Sequence, residues 1–94
     1  MPKPTAAAFR AVVSGRVQGV GFRLSARERA ARLGLSGWVR NLPNGDVETW
    51  AEGAPAGLAA YRSWLDKGPA HAYVAAVAVE PAEPRGCAGF EIIE

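Results

Sequence analysis

The stretch Ser14–Arg23, SGRVQGVGFR, holds three glycines and two arginines and no acidic side chain. Gly15, Gly19 and Gly21 allow backbone turns that aim several amide N–H groups at one point. Arg23 adds a planar fork of donors that matches two oxygens of a phosphoryl group. These are the parts of an anion site. Two familiar phosphate motifs nevertheless fail here. A P-loop needs four residues between its glycines and then Lys-Ser/Thr, whereas three residues separate Gly15 from Gly19 and no lysine follows. A dinucleotide fingerprint begins at Gly19-Val20-Gly21, but Leu24 stands where its third glycine belongs. If a helix starts near Gly21 or Phe22, Arg23 in its first turn opposes the helix dipole by ~0.3–1 kcal/mol, and a bound anion would reverse that sign. From the residues alone two readings stand: an anion cradle, or the more common solvated arginine beside a glycine turn.

The surrounding elements would have to position this loop. Residues 8–14, AFRAVVS, read as a strand that ends at Gly15. Phe22, Ala26, Ala30 and Leu33 recur at helical spacing, Glu28 precedes Arg32 by four in the favourable ion-pair order, and Gly34 suits the position just past the helix end. Two strands follow around Pro43–Asp46, where Asn-Gly supplies the positive φ angles of a tight hairpin. Pro55 opens a second helix carrying Leu58, Ala59, Tyr61, Trp64 and Leu65, which stops at Gly68-Pro69. Ala72–Glu80, AYVAAVAVE, reads as a buried strand and GFEII as a short final one. The order β-α-β-β-α-β predicts a ferredoxin-like α+β sandwich, with two helices on one face of an antiparallel sheet and a short fifth edge strand as an option. Residues 1–7 are expected to be a flexible N-terminus and 8–94 a single domain.

The totals narrow the function classes. Ninety-four residues suffice for one core. One cysteine, Cys87, excludes an internal disulfide, and one cysteine with one histidine falls short of a usual metal-ligand set. No signal peptide or membrane span is evident, so a cytoplasmic protein is expected, with a monomer as the default state. The net charge of +2 is unevenly placed: residues 1–47 carry +6 and residues 48–94 carry −4. That asymmetry fits a nucleic-acid surface, a small anionic ligand, or no function at all once folding interleaves the halves. The aromatic strand signature of RNA-recognition domains is missing, which argues against a nucleic-acid partner.

Two segments add specificity. VSGRVQGVGFR (Val13–Arg23) and GWVRNLPNGDVETWAEG (Gly37–Gly53) together resemble the acylphosphatase family, which shows a Gly-x-Val-Gln-Gly-Val-x-Phe-Arg loop followed by Gly-Trp-Val-x-Asn. Gly45, Val47 and Gly53 fall on the family's downstream positions. The likeness is close over residues 8–53, and over 54–94 only the layout agrees. It implies an enzyme that hydrolyses the carboxyl-phosphate bond of acyl phosphates without metal, cofactor or covalent intermediate. By motif position Arg23 binds the phosphoryl group, the loop Val17, Gln18, Gly19, Val20 and Gly21 surrounds it with backbone amides, and Asn41 positions the attacking water. The sequence departs from the family at Leu24-Ser25, where many members carry aromatic residues; the change falls at the rim of the implied site.

That chemistry suits these residue types. The leaving group is a carboxylate, of pKa near ~4 by side-chain analogy, and leaves without a general acid. Positioning and charge stabilisation remain. Asn41 can orient a water without adding negative charge beside a polyanion. Inorganic phosphate and sulfate are expected to compete for the loop. A non-catalytic anion- or carbamoyl-phosphate-binding module is the alternative, disfavoured because no linker or further domain follows. Trp38, Trp50, Tyr61, Trp64 and Tyr73 read first as packing residues, His71 as incidental, Cys87 as a filler or exposed thiol, and Arg16 as solvated or anion-steering.

Overall fold

The structure, a computed structural model, describes residues 6–94. The expected flexible N-terminus falls mainly on residues 1–5, outside the described residues, and Ala7 already begins the first strand. In chain order the elements are β1 (Ala7–Arg16), α1 (Phe22–Arg32), β2 (Ser36–Asn41), β3 (Val47–Gly53), α2 (Pro55–Leu65), β4 (Tyr73–Ala82) and β5 (Phe90–Ile92). One sheet forms in the order β4-β1-β3-β2-β5. This is the α+β sandwich expected from the element order, with the optional fifth strand present.

Strand alternation sends Phe9, Ala11 and Val13 of β1, Val39 of β2, and Val47, Thr49 and Ala51 of β3 to the helix side. The helices meet them with Phe22, Ala26 and Ala30 of α1, spaced four apart, and Leu58, Tyr61 and Leu65 of α2. The two alanines let α1 lie close to the sheet. The Tyr61 hydroxyl, fully buried, donates to Thr49 Oγ1 at 3.0 Å, and that hydroxyl donates to the Trp38 carbonyl at 2.8 Å. The bond satisfies a polar group that burial would otherwise penalise by about 1–3 kcal/mol. At the end of α1, Leu35 N–H donates to Ala30 O and Gly34 N–H to Ala31 O, the paired bonds of a glycine-terminated helix.

Several expectations change. β4 is a sheet edge paired with β1 alone, and its alternate residues face solvent, with Tyr73 68% exposed. A run of Ala and Val reads as buried, yet within β4 only Val74, Val77 and Val79 pack against the core. β5 pairs with β2 in parallel, so the sheet is mixed. The hairpin is wider than a two-residue turn: Gly45 N–H donates to Leu42 O and Leu42 N–H to Asp46 O, leaving a three-residue loop, Pro43 to Gly45. Only Gly45 has positive φ, at 98°, because Pro43 favours a type I turn that one left-handed residue then closes. Ala59 faces solvent, and Glu28 and Arg32 form no ion pair. No helix of the described residues is long and apolar enough to cross a membrane.

Candidate active site

β1 passes through a register shift between Ser14 and Gly15, ends at Arg16, and the chain then turns through residues 17–21 into α1. Val17 is buried and anchors the near end of the loop in the core. Gly19 (φ 75°) and Gly21 (φ 77°) hold left-handed backbone that side chains rarely adopt, while open space surrounds both. These glycines are therefore required by conformation and leave the approach to the backbone clear. Gly21 is also the N-cap of α1, whose first turn has no side-chain cap and no acidic residue. Among the described residues, no backbone N–H from Gln18 to Leu24 donates a hydrogen bond to a protein acceptor. Several donors and the positive end of a helix dipole thus converge on an unsatisfied site.

Asn41 comes from the opposite direction. It is the last residue of β2, opposite Val47, and alternation puts it on the helix side with Val39. A cleft of about 180 Å³ is lined by Val17, Gly19 and Gly21 of the loop and by Arg23 and Leu24 of α1. Asn41 and Ile92 complete it from β2 and β5. No carboxylate, imidazole or thiol lines it. Arg23 is exposed and forms no ion pair among the described residues. Asn41 Oδ1 is buried without a hydrogen-bond partner, the one such side-chain atom among the described residues. An orphaned acceptor costs about 1–3 kcal/mol, a penalty that a side chain held for function can carry.

The remaining loop residues have other places. Gln18 is turned away from the cleft: its Nε2 donates to Leu42 O at 2.8 Å and to Asp46 O at 2.9 Å. One carboxamide thereby ties the loop to the mouth of the β2–β3 hairpin, beside Asn41. The Val20 side chain packs partly against the core. Ile92 was not singled out in the sequence, because nothing local reveals that the final strand joins β2 and reaches this cleft. Trp38 lies elsewhere, half-buried with the Arg40 guanidinium 5.5 Å from its ring centre, and His71 is an exposed loop residue.

The helix-free side of the sheet carries features the sequence left unremarked. Glu48 is buried between Arg10 and Arg40, with Arg40 Nε at 2.6 Å. Burial pushes its pKa up, but the two guanidinium hydrogen bonds outweigh it and leave it below the usual carboxylate range. Glu52 is buried as well, and it accepts from the Trp50 indole N–H at 2.7 Å and the Arg85, Gly86 and Cys87 backbone N–H groups. Burial again acts upward, yet these donors hold the carboxyl at about 2. The Cys87 thiol donates to Glu52 at 3.2 Å, and burial together with that carboxylate raises its pKa, so the thiol stays protonated and weakly nucleophilic.

Comparison with known proteins agrees with this geometry. The family model described as Acylphosphatase matches residues 9–92. The chain is 55% identical over 82 residues to an acylphosphatase of Pseudomonas paraeruginosa, an alignment spanning 87% of this chain and 90% of the relative. Among solved structures, an acylphosphatase from Coxiella burnetii superposes with a TM-score of 0.91 at 39% identity, covering 94% of this chain and 93% of that one. An acylphosphatase from Bacillus subtilis gives 0.91 at 34% identity, covering 94% and 99%. The likeness seen in the two sequence motifs therefore extends through the C-terminal half, and the chain belongs to the acylphosphatase family.

Proposed function

We propose that Arg23 and the backbone amides from Val17 to Gly21 grip the phosphoryl group of an acyl phosphate while Asn41 holds the attacking water in line. The chain is a hydrolase of the acylphosphatase type; the proposal assigns the work to its residues. The water oxygen bonds to phosphorus, and the bond from phosphorus to the acyl oxygen breaks. The electron pair leaves on the carboxylate. Because no ionisable base lines the cleft, the water's proton passes to a phosphoryl oxygen. The carboxylate is a good enough leaving group to need no acid, which agrees with the cleft's composition.

The observation that carries this reading is a single cleft in which the unsatisfied loop donors and Arg23 meet Asn41 with no carboxylate, imidazole or thiol among the lining residues. Donors fixed before the substrate arrives stabilise the charge of the transition state without reorganising, each worth about 3–4 kcal/mol. The chemistry requires no metal, and inorganic phosphate and sulfate compete for the cradle. The protein acts as a cytoplasmic monomer on a small acyl phosphate. Phosphate release from benzoyl phosphate in the presence of a chelator tests the reading. Turnover by the wild type is expected, with Asn41→Ala lowering kcat by about 10²–10³. Binding of phosphate without any turnover would leave only the alternative of a non-catalytic anion- or carbamoyl-phosphate-binding module, and a chelator-sensitive rate would refute metal independence.

A further inference from the structure

We propose that Leu24, with Ile92, forms an acyl subsite that selects acyl phosphates carrying an apolar acyl group over acetyl phosphate. The inference rests on the phosphoryl cradle described above and adds what lies beyond it. The cleft is chemically divided. Gly19, Gly21, Arg23 and Asn41 supply polar groups that suit the phosphoryl end, whereas Leu24 and Ile92 supply apolar surface. Val17, the other apolar lining residue, is 1% exposed and already spent on the core.

Leu24 is different. It is 49% exposed, one of only two large apolar side chains among the described residues that stand out in solvent. A lone exposed leucine needs no explanation in general. This one follows the phosphoryl-binding Arg23 directly and lines the same cleft, so a substrate held by its phosphate brings its acyl group within reach. Ile92 is half-buried and fixed by its strand: β5 pairs with β2 at Val39–Ile92, and Ile93 N–H donates to Val39 O at 2.9 Å. The subsite thus has one firm wall on the sheet and one wall on the first turn of α1. An aryl or branched alkyl group covers both; a methyl group is too small to do so.

The test compares kcat/KM for benzoyl phosphate and acetyl phosphate in the wild type, Leu24→Ser and Leu24→Met. Position 24 is solvent-facing, so the fold should tolerate both changes. The benzoyl preference should fall about tenfold in Leu24→Ser, the scale of losing a small apolar contact, and persist in Leu24→Met. The change should appear mainly in KM, since the contact is made equally in the ground and transition states. A preference within twofold of wild type in Leu24→Ser would overturn the subsite. So would a shifted inhibition constant for inorganic phosphate, which has no acyl group; that would place Leu24's effect on the phosphoryl cradle. Loss of hydrolysis of both substrates in the wild type would instead overturn the catalytic reading, and the subsite with it.

Discussion

Two backbone turns in this protein gather amide N–H groups around an anion position, and they differ in who provides the anion. At residues 85–87 the anion is internal: the Glu52 carboxylate accepts from three successive amides at 2.7, 3.0 and 3.1 Å. At residues 17–21 no acid lines the cleft, and among the described residues the amides, the start of α1 and Arg23 all lack a protein acceptor. Both turns use glycine in the same left-handed conformation, φ 79° at Gly86 against 75° and 77° at Gly19 and Gly21. Shape alone therefore does not separate a structural nest from a substrate cradle. Charge does. A nest that holds its own carboxylate is a fastener, and one left without an anion can accept a substrate's.

Removing the cation from the open nest should have the largest effect. Arg23→Ala is expected to lower kcat/KM for benzoyl phosphate about 10³-fold, because a bidentate charged donor exceeds a single neutral one. Arg23→Lys should recover only a small part, since a point charge lacks the fork. Full activity in either variant would remove the distinction between the two turns.

Removing the anion from the filled nest should affect stability and leave turnover intact. Glu52→Gln is expected to cost about 2–3 kcal/mol at pH 7 in denaturant unfolding, as buried amides lose a charged acceptor. The folded carboxyl sits at about 2, below its ordinary value of 4.5. Its ionised form thus stabilises the fold above pH 4.5, by roughly 3 kcal/mol, and that contribution is lost as pH falls from 4.5 towards 2. The stability gap between wild type and Glu52→Gln should close over that window. A gap independent of pH would show that the nest does not depend on charge.

The smallest effect concerns how the open nest is held. Gln18 bridges to both Leu42 O and Asp46 O, so Gln18→Ala frees the loop to drift relative to Asn41. A drop of about tenfold in kcat is expected, with phosphate inhibition changed less, because misalignment costs catalysis more than binding. Equal losses in both would mean that Gln18 shapes the cradle alone.

Much of this was legible in the sequence for local reasons. Glycine conformations, the Pro55 start of α2, the Gly34 end of α1 and the apolar spacing of Phe22, Ala26 and Ala30 are dictated within a few residues. Arg23 stood out because its place in the first turn conflicts with the helix dipole. Asn41 carried no such local conflict and came into view only through the family likeness. The features that escaped depend on long-range pairing. Whether AYVAAVAVE is central or an edge depends on which strand lies beside it, and a row of Ala and Val does not say. Parallel pairing of β5 with β2 brings Ile92 to the cleft across about fifty residues of chain. Glu48 and Glu52 alternate with core residues like ordinary solvent-facing acids; the arginines and the loop that bury them come from elsewhere.

The central claim is that the 17–21 turn stands ready for a substrate's anion, and thermal unfolding with inorganic phosphate tests it most directly. Wild-type Tm should rise with phosphate concentration as expected for a ligand that binds only the folded state. Arg23→Ala should lose most of that rise, and Glu52→Gln, with a lower starting Tm, should keep it. A wild-type Tm that does not respond to phosphate, or an equal rise in Arg23→Ala, would contradict the account.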